Sequence, residues 1–267
     1  MPALAAAGPV PAFSDQDLEQ YRKPSDRRAQ TDDQSVRSPV VREQSGAGAE
    51  RPQRKIEVPY TAFEGSSRRV IIPVQLNGSV TARMALDTGS PGMIIFDRLA
   101  NRLGLFEKDD GKLLTYSAGI GGNAPSILTI IDSVQVGRAE DRFIPTSIVA
   151  SLSDAFDGLI GMDFMANYSV RIDTARRVVV FEELPEREQM PGGHDELWWR
   201  SNFRTFAARR AEWQQFMASL NAQKMDRDNF DKVRQFADRQ YREADRLFTR
   251  LNSYAVSNSV PMHWRQY

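Results

Sequence analysis

The spacing of apolar residues changes once along this chain, near Pro185, and that change limits what the chain can fold into. From Ile56 to about Glu182, apolar residues come in short β-rich runs broken by turn formers. Beyond Pro185, Trp199, Phe206, Trp213 and Leu220 recur every seven residues, with Phe203 and Met217 filling the alternate seam, which is the spacing of one helix face. Phe230, Val233, Ala237, Ala244, Leu247, Leu251 and Tyr254 continue the three-four alternation in a second helix. Asp195, after Gly192-Gly193, is the expected first cap, Asn221 to Asp228 the turn, and Pro261 lies beyond the end. The expected organisation is a β domain over 56–184 followed by a helical hairpin over 185–267.

Residues 1–55 lack apolar periodicity and are rich in Pro, Ala, Gln, Ser, Arg and Asp, a composition that does not bury enough surface to offset the entropy of ordering. They are expected to form a flexible arm, either an inert linker or a propeptide-like segment. One stretch within it, Ser14-Asp15-Gln16-Asp17 before Leu18 and Tyr21, is expected to be solvated coil, with a short docking helix as the alternative that its start signal offers. Inside the β domain, Val70 to Leu76 leads into Asn77-Gly78, a strong hairpin signal, and Val80 to Leu86 returns. Further strands are expected at Gly92 to Phe96, Leu113 to Ser117, Ser126 to Val136, Asp141 to Val149, Ser169 to Asp173 and Arg177 to Glu182. Asp97 is expected to cap a helix through Leu103, and Met162 to Tyr168 to form another after Gly161.

Composition removes whole classes of function. Thirty-five basic side chains balance thirty-five acidic ones, so counterion release gives no reason to expect nucleic acid as a partner. No run approaches the ~18 apolar residues of a membrane-spanning helix. There is no cysteine, and the two histidines, His194 and His263, both follow the β region, so disulfides, thiolate zinc sites and cysteine nucleophiles are excluded. Neither Gly-x-Ser-x-Gly nor His-Glu-x-x-His occurs. No metal or cofactor is expected, and the chemistry falls to carboxylates, hydroxyls or amines.

In Met84-Ala85-Leu86-Asp87-Thr88-Gly89-Ser90 an apolar strand delivers a lone carboxylate to a glycine turn. All four of the last residues are turn formers, so the tetrapeptide alone also reads as a plain turn. Three features occur in order, however: the Asn77-Gly78 hairpin before Asp87-Thr88-Gly89-Ser90, then Ser117-Ala118-Gly119-Ile120-Gly121-Gly122, then Asp157-Gly158-Leu159-Ile160-Gly161-Met162-Asp163-Phe164. In that order they resemble the retropepsin-like aspartic proteases, the single-domain type found in retroviruses and bacteria.

The resemblance implies an all-β fold, the retropepsin-like acid protease barrel: a closed β domain with one short helix after the apolar-apolar-Gly segment, here followed by a C-terminal α-helical hairpin. It implies an aspartic endopeptidase acting on polypeptide, with Asp87 as the catalytic carboxylate. Two carboxylates in contact are needed, because one must be protonated while the other takes a proton from water. This chain supplies one Asp-Thr/Ser-Gly, so a homodimer pairing two Asp87 residues is the expected completion. By the same resemblance, Thr88 and Gly89 support the site, and Ser90 either donates to Asp87 or faces solvent. Gly119, Ile120, Gly121 and Gly122 would form a flap over the substrate. Leu159, Ile160 and Gly161 would support the site from beneath, and Asp163 would hold the short helix, pair with an arginine such as Arg83, or stay solvated at the helix start. Ile120, Ile148 and Phe156 are candidates for apolar subsites, with core packing as the alternative.

The sequence departs from the retroviral pattern at Gly161-Met162-Asp163, where an arginine is common in that family, and at Pro91-Gly92, where an acidic residue is common. The helical hairpin is a second departure, expected to hold the dimer, cover its own β domain, or engage a partner protein through residues 195–256. The competing function is a catalytically silent adaptor of the same fold. Ala3 to Ala7 resemble the small-residue end of a signal peptide, which with the family resemblance favours a periplasmic or exported location over the cytoplasm.

Overall fold

The computed structural model describes residues 55–64, 68–107, 112–119, 122–185, 190–220 and 226–267. The expected arm, apart from Lys55, lies outside the described residues, as do Ile120 and Gly121. Eleven strands and four α-helices are described. The strands are β1 (Lys55–Pro59), β2 (Thr61–Glu64), β3 (Arg68–Leu76), β4 (Val80–Leu86), β5 (Met93–Phe96), β6 (Leu113–Gly119), β7 (Gly122–Val136), β8 (Ala139–Val149), β9 (Gly158–Ile160), β10 (Tyr168–Asp173) and β11 (Val178–Glu183). The helices are α1 (Asp97–Arg102), α2 (Met162–Met165), α3 (Glu196–Leu220) and α4 (Arg227–Ser257).

The β region is built from half-buried strands. In β4, Ala82 and Met84 are buried while Thr81 and Arg83 are exposed, the period of two that puts alternate side chains on opposite faces. One sheet runs β2-β3-β4-β9-β5-β8-β7-β6, and β3 pairs again with β7 through Gln75↔Gln135 and Leu76↔Val134. A second sheet has the order β1-β11-β10. Between them lies the main core, with Ile72, Leu76, Met84, Ile95, Ile131, Ile160 and Phe181 fully buried. The Asn77-Gly78 turn forms as expected, both residues having positive φ, and the Asn77 amide oxygen accepts from Asp132 N at 2.9 Å, tying this turn to β7.

Several expectations need correction. Asp97 is the first residue of α1 rather than its cap, and its carboxylate accepts from Arg98 N (2.8 Å) and from the Ser151 hydroxyl. The helix after Gly161 stops at Met165, because Tyr168 already belongs to β10. Helix α4 starts at Arg227, inside the stretch expected to be turn, because Asp226 caps it by accepting from Asn229 N at 3.0 Å. Asp195 does serve α3, accepting from Trp198 N at 2.7 Å.

The helical hairpin packs on the β region of its own chain. Leu113 of β6, Ile130 of β7 and Phe143 of β8 share a core with Trp199, Phe203, Phe206, Leu247 and Leu251. At the joint, Asn167 Nδ2 donates to Asp141 Oδ2 (2.9 Å), and His194 Nε2 lies 3.1 Å from Arg142 O, where it donates, while the buried Trp198 Nε1 has no hydrogen-bond partner among the described residues. The His194 ring stacks on Trp198 at 3.7 Å between centroids, which fixes the start of α3 against β8.

Candidate active site

Asp87 sits just past β4, and one long-range hydrogen bond together with the pairing of the residue before it sets its backbone. Its N–H donates to Ile160 O at 3.1 Å, and Leu86 pairs in parallel with Ile160. The turn closes locally, Ser90 N donating to Asp87 O (3.2 Å) and Gly89 N to the Asp87 carboxylate oxygen Oδ1 (3.0 Å). A side chain at Gly89 would put its Cβ 3.3 Å from that oxygen, crowding the carboxylate. Asp87 is half-buried, while Thr88 and Gly89 are exposed beside it.

Ser90 does neither of the things expected of it. Its hydroxyl is buried and donates to Gly92 O at 2.8 Å, so it acts on the loop and not on Asp87. The reason lies in the segment packed against it. Met162 N donates to Ser90 O (2.8 Å) and Asp163 N to Pro91 O (2.9 Å), while Gly161 leaves no room for a Cβ against the carbonyls of Gly92 and Ser90. Gly158 is equally enclosed, by Ile94 O and the Met84 side chain. The Asp157–Gly161 segment is thus a wedge, β9, between β4 and β5, with both glycines required by backbone approach. Ile160 is fully buried in the main core, and Leu159 packs on a smaller cluster with Ile71, Ala85, Phe96, Val149 and Phe156.

Arg83 pairs elsewhere than expected. Asp157, not Asp163, takes it: Asp157 Oδ2 accepts from Arg83 N at 2.7 Å, Asp157 N donates to Arg83 O at 2.7 Å, and Arg102 Nη2 lies 3.2 Å from Asp157 Oδ1. Asp157 therefore fastens β4 to α1 and the wedge, a role that sequence reasoning missed; the only sign of it was a carboxylate directly preceding Gly158.

Asp163 is half-buried and has no ion pair among the described residues. Burial pushes its carboxyl up to about 6, and repulsion from Asp195 adds to the effect. The native state then holds this proton more tightly than the unfolded chain does, so stability falls as pH rises from about 4 to about 6 and levels off above. Asp163→Asn is expected to remove that slope and to raise the melting temperature at pH 7, as read by calorimetry across pH 4–7. An unchanged pH slope would show that the carboxyl is not held in this way.

Asp87 opens on a cleft of about 570 Å³ whose walls include Leu86, Val70, Met162, Met165 and Tyr168. Asp87 is the only carboxylate among the described residues lining it. Ile148 and Phe156 are not part of it; both are buried, and core packing explains them. Strands β6 and β7 pair up to Gly119↔Gly122, bracketing the two residues of the glycine stretch that lie outside the described residues. No group of three or more His, Asp or Glu side chains is placed to hold a metal ion among the described residues.

Residues 72–164 match the family model described as aspartyl protease. That segment contains Asp87, the β6–β7 pair and the wedge, and the match bears out, for these residues, the resemblance read from the motifs. Similar solved structures include a retropepsin-like aspartic protease from Rickettsia conorii, 20% identical, covering 49% of this chain and 91% of that one with a TM-score of 0.38. The retroviral protease-like domain of Ddi1 from Leishmania major is 20% identical, covering 45% and 97%, with a TM-score of 0.31. The EIAV protease complexed with the inhibitor HBY-793 is 18% identical, covering 40% and 92%, also with a TM-score of 0.31. No curated protein matches the chain.

Proposed function

We propose that this protein is a retropepsin-like aspartic endopeptidase, exported or periplasmic, in which two copies each contribute Asp87 to one catalytic pair. The observation that carries the reading is the placement of Asp87: a lone carboxylate, held by its own glycine turn at a cleft with mostly apolar walls that Arg69 also lines, within the segment that matches aspartyl proteases. In this reading the ionised carboxylate takes a proton from water as the water oxygen bonds to the scissile carbonyl carbon. The protonated partner carboxyl gives its proton to the carbonyl oxygen. The carboxyl that took the water proton then gives it to the amide nitrogen, and as the C–N bond breaks the other carboxylate takes a proton from a hydroxyl of the tetrahedral intermediate, so the pair is again one ionised and one protonated group.

The other parts follow from this assignment. Thr88, exposed beside Asp87, would bond across the two-fold axis, and Gly119 to Gly122 would close over an extended polypeptide as the flap. The circuit of strands completed by the β3–β7 pairing would be the closed barrel of the family. The adaptor reading is less well supported, since the apolar seam it assigned to a partner protein is packed on β6, β7 and β8.

Dilution tests the shared site. Specific activity on a pepstatin-sensitive peptide substrate is expected to fall as the enzyme is diluted through its dimer dissociation constant, in step with the sedimentation coefficient. Full activity in a strictly monomeric sample would overturn the proposal.

A further inference from the structure

Strand β6 is the outermost strand of the eight-stranded sheet, so one row of its peptide groups has no strand to pair with. At its root that row is met by a side chain from the hairpin. Gln240 Oε1 accepts from Leu114 N at 2.8 Å, and Gln240 Nε2 donates to Lys112 O at 2.9 Å. Residues 112 and 114 are two apart, so both groups face the same way, and a primary amide offers a donor and an acceptor much as a neighbouring peptide does. The register agrees: Tyr116, which faces the same way as Leu114, lies opposite Pro125, a residue with no N–H to offer the ladder.

The approach is built for this contact. Gln240 is only 6% exposed, and Ala237 and Ala244 on the same face of α4 are fully buried, so small side chains let the helix come close to the strand edge. Leu113, between the two bonded residues, is fully buried in the helical core. Both bonds from Gln240 fall at the root of β6, at or before Leu114. Five residues, 115–119, separate this anchor from the tip, a lever of about 17 Å at ~3.3 Å per residue.

We infer that Gln240 is a positioning residue: by acting as one rung of an additional strand it fixes the root of the β6–β7 hairpin, so that the hairpin moves as a lever from Leu114 outward. Its effect on cleavage rests on the endopeptidase reading, in which this hairpin is the flap. With the root loosened, substrate binding must supply the ordering that Gln240 supplies in the native protein, so KM rises while the bond-breaking step at Asp87 is left alone.

Gln240→Met in the full-length protein removes both bonds at similar length. Hydrogen exchange is expected to quicken about tenfold over 113–119 with β4 and β5 unchanged, and KM to rise about 2- to 12-fold with kcat within about twofold, the range of a hydrogen bond or two. Gln240→Glu is the control that a merely structural role would not reproduce. Ionised, it still accepts from Leu114 N but has no donor for Lys112 O and sets its charge against that carbonyl, so exchange and KM shift in the same direction as in Gln240→Met; protonated in acid, it regains donor and acceptor, and both return toward wild type. Unchanged exchange over 113–119 in Gln240→Met, or loosening spread evenly over all strands, would overturn the inference. If wild type cuts no peptide, the exchange result alone still decides it, and only the endopeptidase reading is lost.

Discussion

Asp87→Asn is expected to lower kcat on a peptide substrate by about 10²- to 10⁴-fold, the usual loss when a positioned acid–base group is removed. The fold should be untouched, since asparagine keeps the Oδ1 that accepts the Gly89 N–H at 3.0 Å and leaves the Asp87 N to Ile160 O bond in place. The amide can neither take a proton from water nor exist as the protonated partner, so both roles vanish together. Mixing sharpens the test. Adding an equal amount of Asp87→Asn protein to wild type, with time for subunit exchange, is expected to reduce wild-type activity to about half, because half of its subunits then face an amide. Wild-type activity that ignores the added variant would show that each copy carries a complete site, and mutant activity equal to wild type would remove Asp87 from the chemistry.

The second large effect is expected far from any titrating group. Gly161→Ala should cost about 3 kcal/mol, at the upper end of what one added methyl does in a packed site. The backbone at Gly161 is extended (φ −100°, ψ −166°), a conformation alanine adopts freely, so the cost comes from space alone. The new Cβ would meet Ser90 O at 2.5 Å and Gly92 C at 3.0 Å, main-chain atoms on the loop that follows Asp87, with no flexible side chain to give way. A fall in melting temperature of about 6–12 °C should follow, together with a loss of kcat measured well below the transition, as the 90–92 loop is displaced. A melting temperature within about 2 °C of wild type would mean that the wedge is not as tightly seated as its geometry requires.

Residues with strong local preferences were legible from the sequence. Asn77-Gly78 announces its turn because few other pairs accept positive φ in succession, and Asp87 falls where an apolar strand meets a glycine turn. The two helices were legible as faces, but a seven-residue repeat names no partner, and here the partner is the edge of the chain's own sheet. Strand β9 was not legible because Gly-Leu-Ile is too short to show a period and exists only by virtue of its neighbours. Strand β1 had a signal, with Ile56 and Val58 buried between exposed Lys55 and Glu57, but it follows directly on the polar arm. The Ser90 hydroxyl was beyond sequence reading, since its direction is set by a segment about seventy residues away. Gln240 had a trace, a polar residue between Ala237 and Ala244 on the buried face of its helix, although Glu243 on the same face blurs that signal.

The wedge also dictates the order in which the molecule is finished. Met84 pairs with Gly158 across 74 positions, and Asp163 reaches back to Pro91, so the surroundings of Asp87 close only after a long loop has been brought round. A nascent chain emerging from the ribosome therefore carries its aspartate early and its support late. Until residues 157–163 have been synthesised, the acid group stands on an unbraced turn.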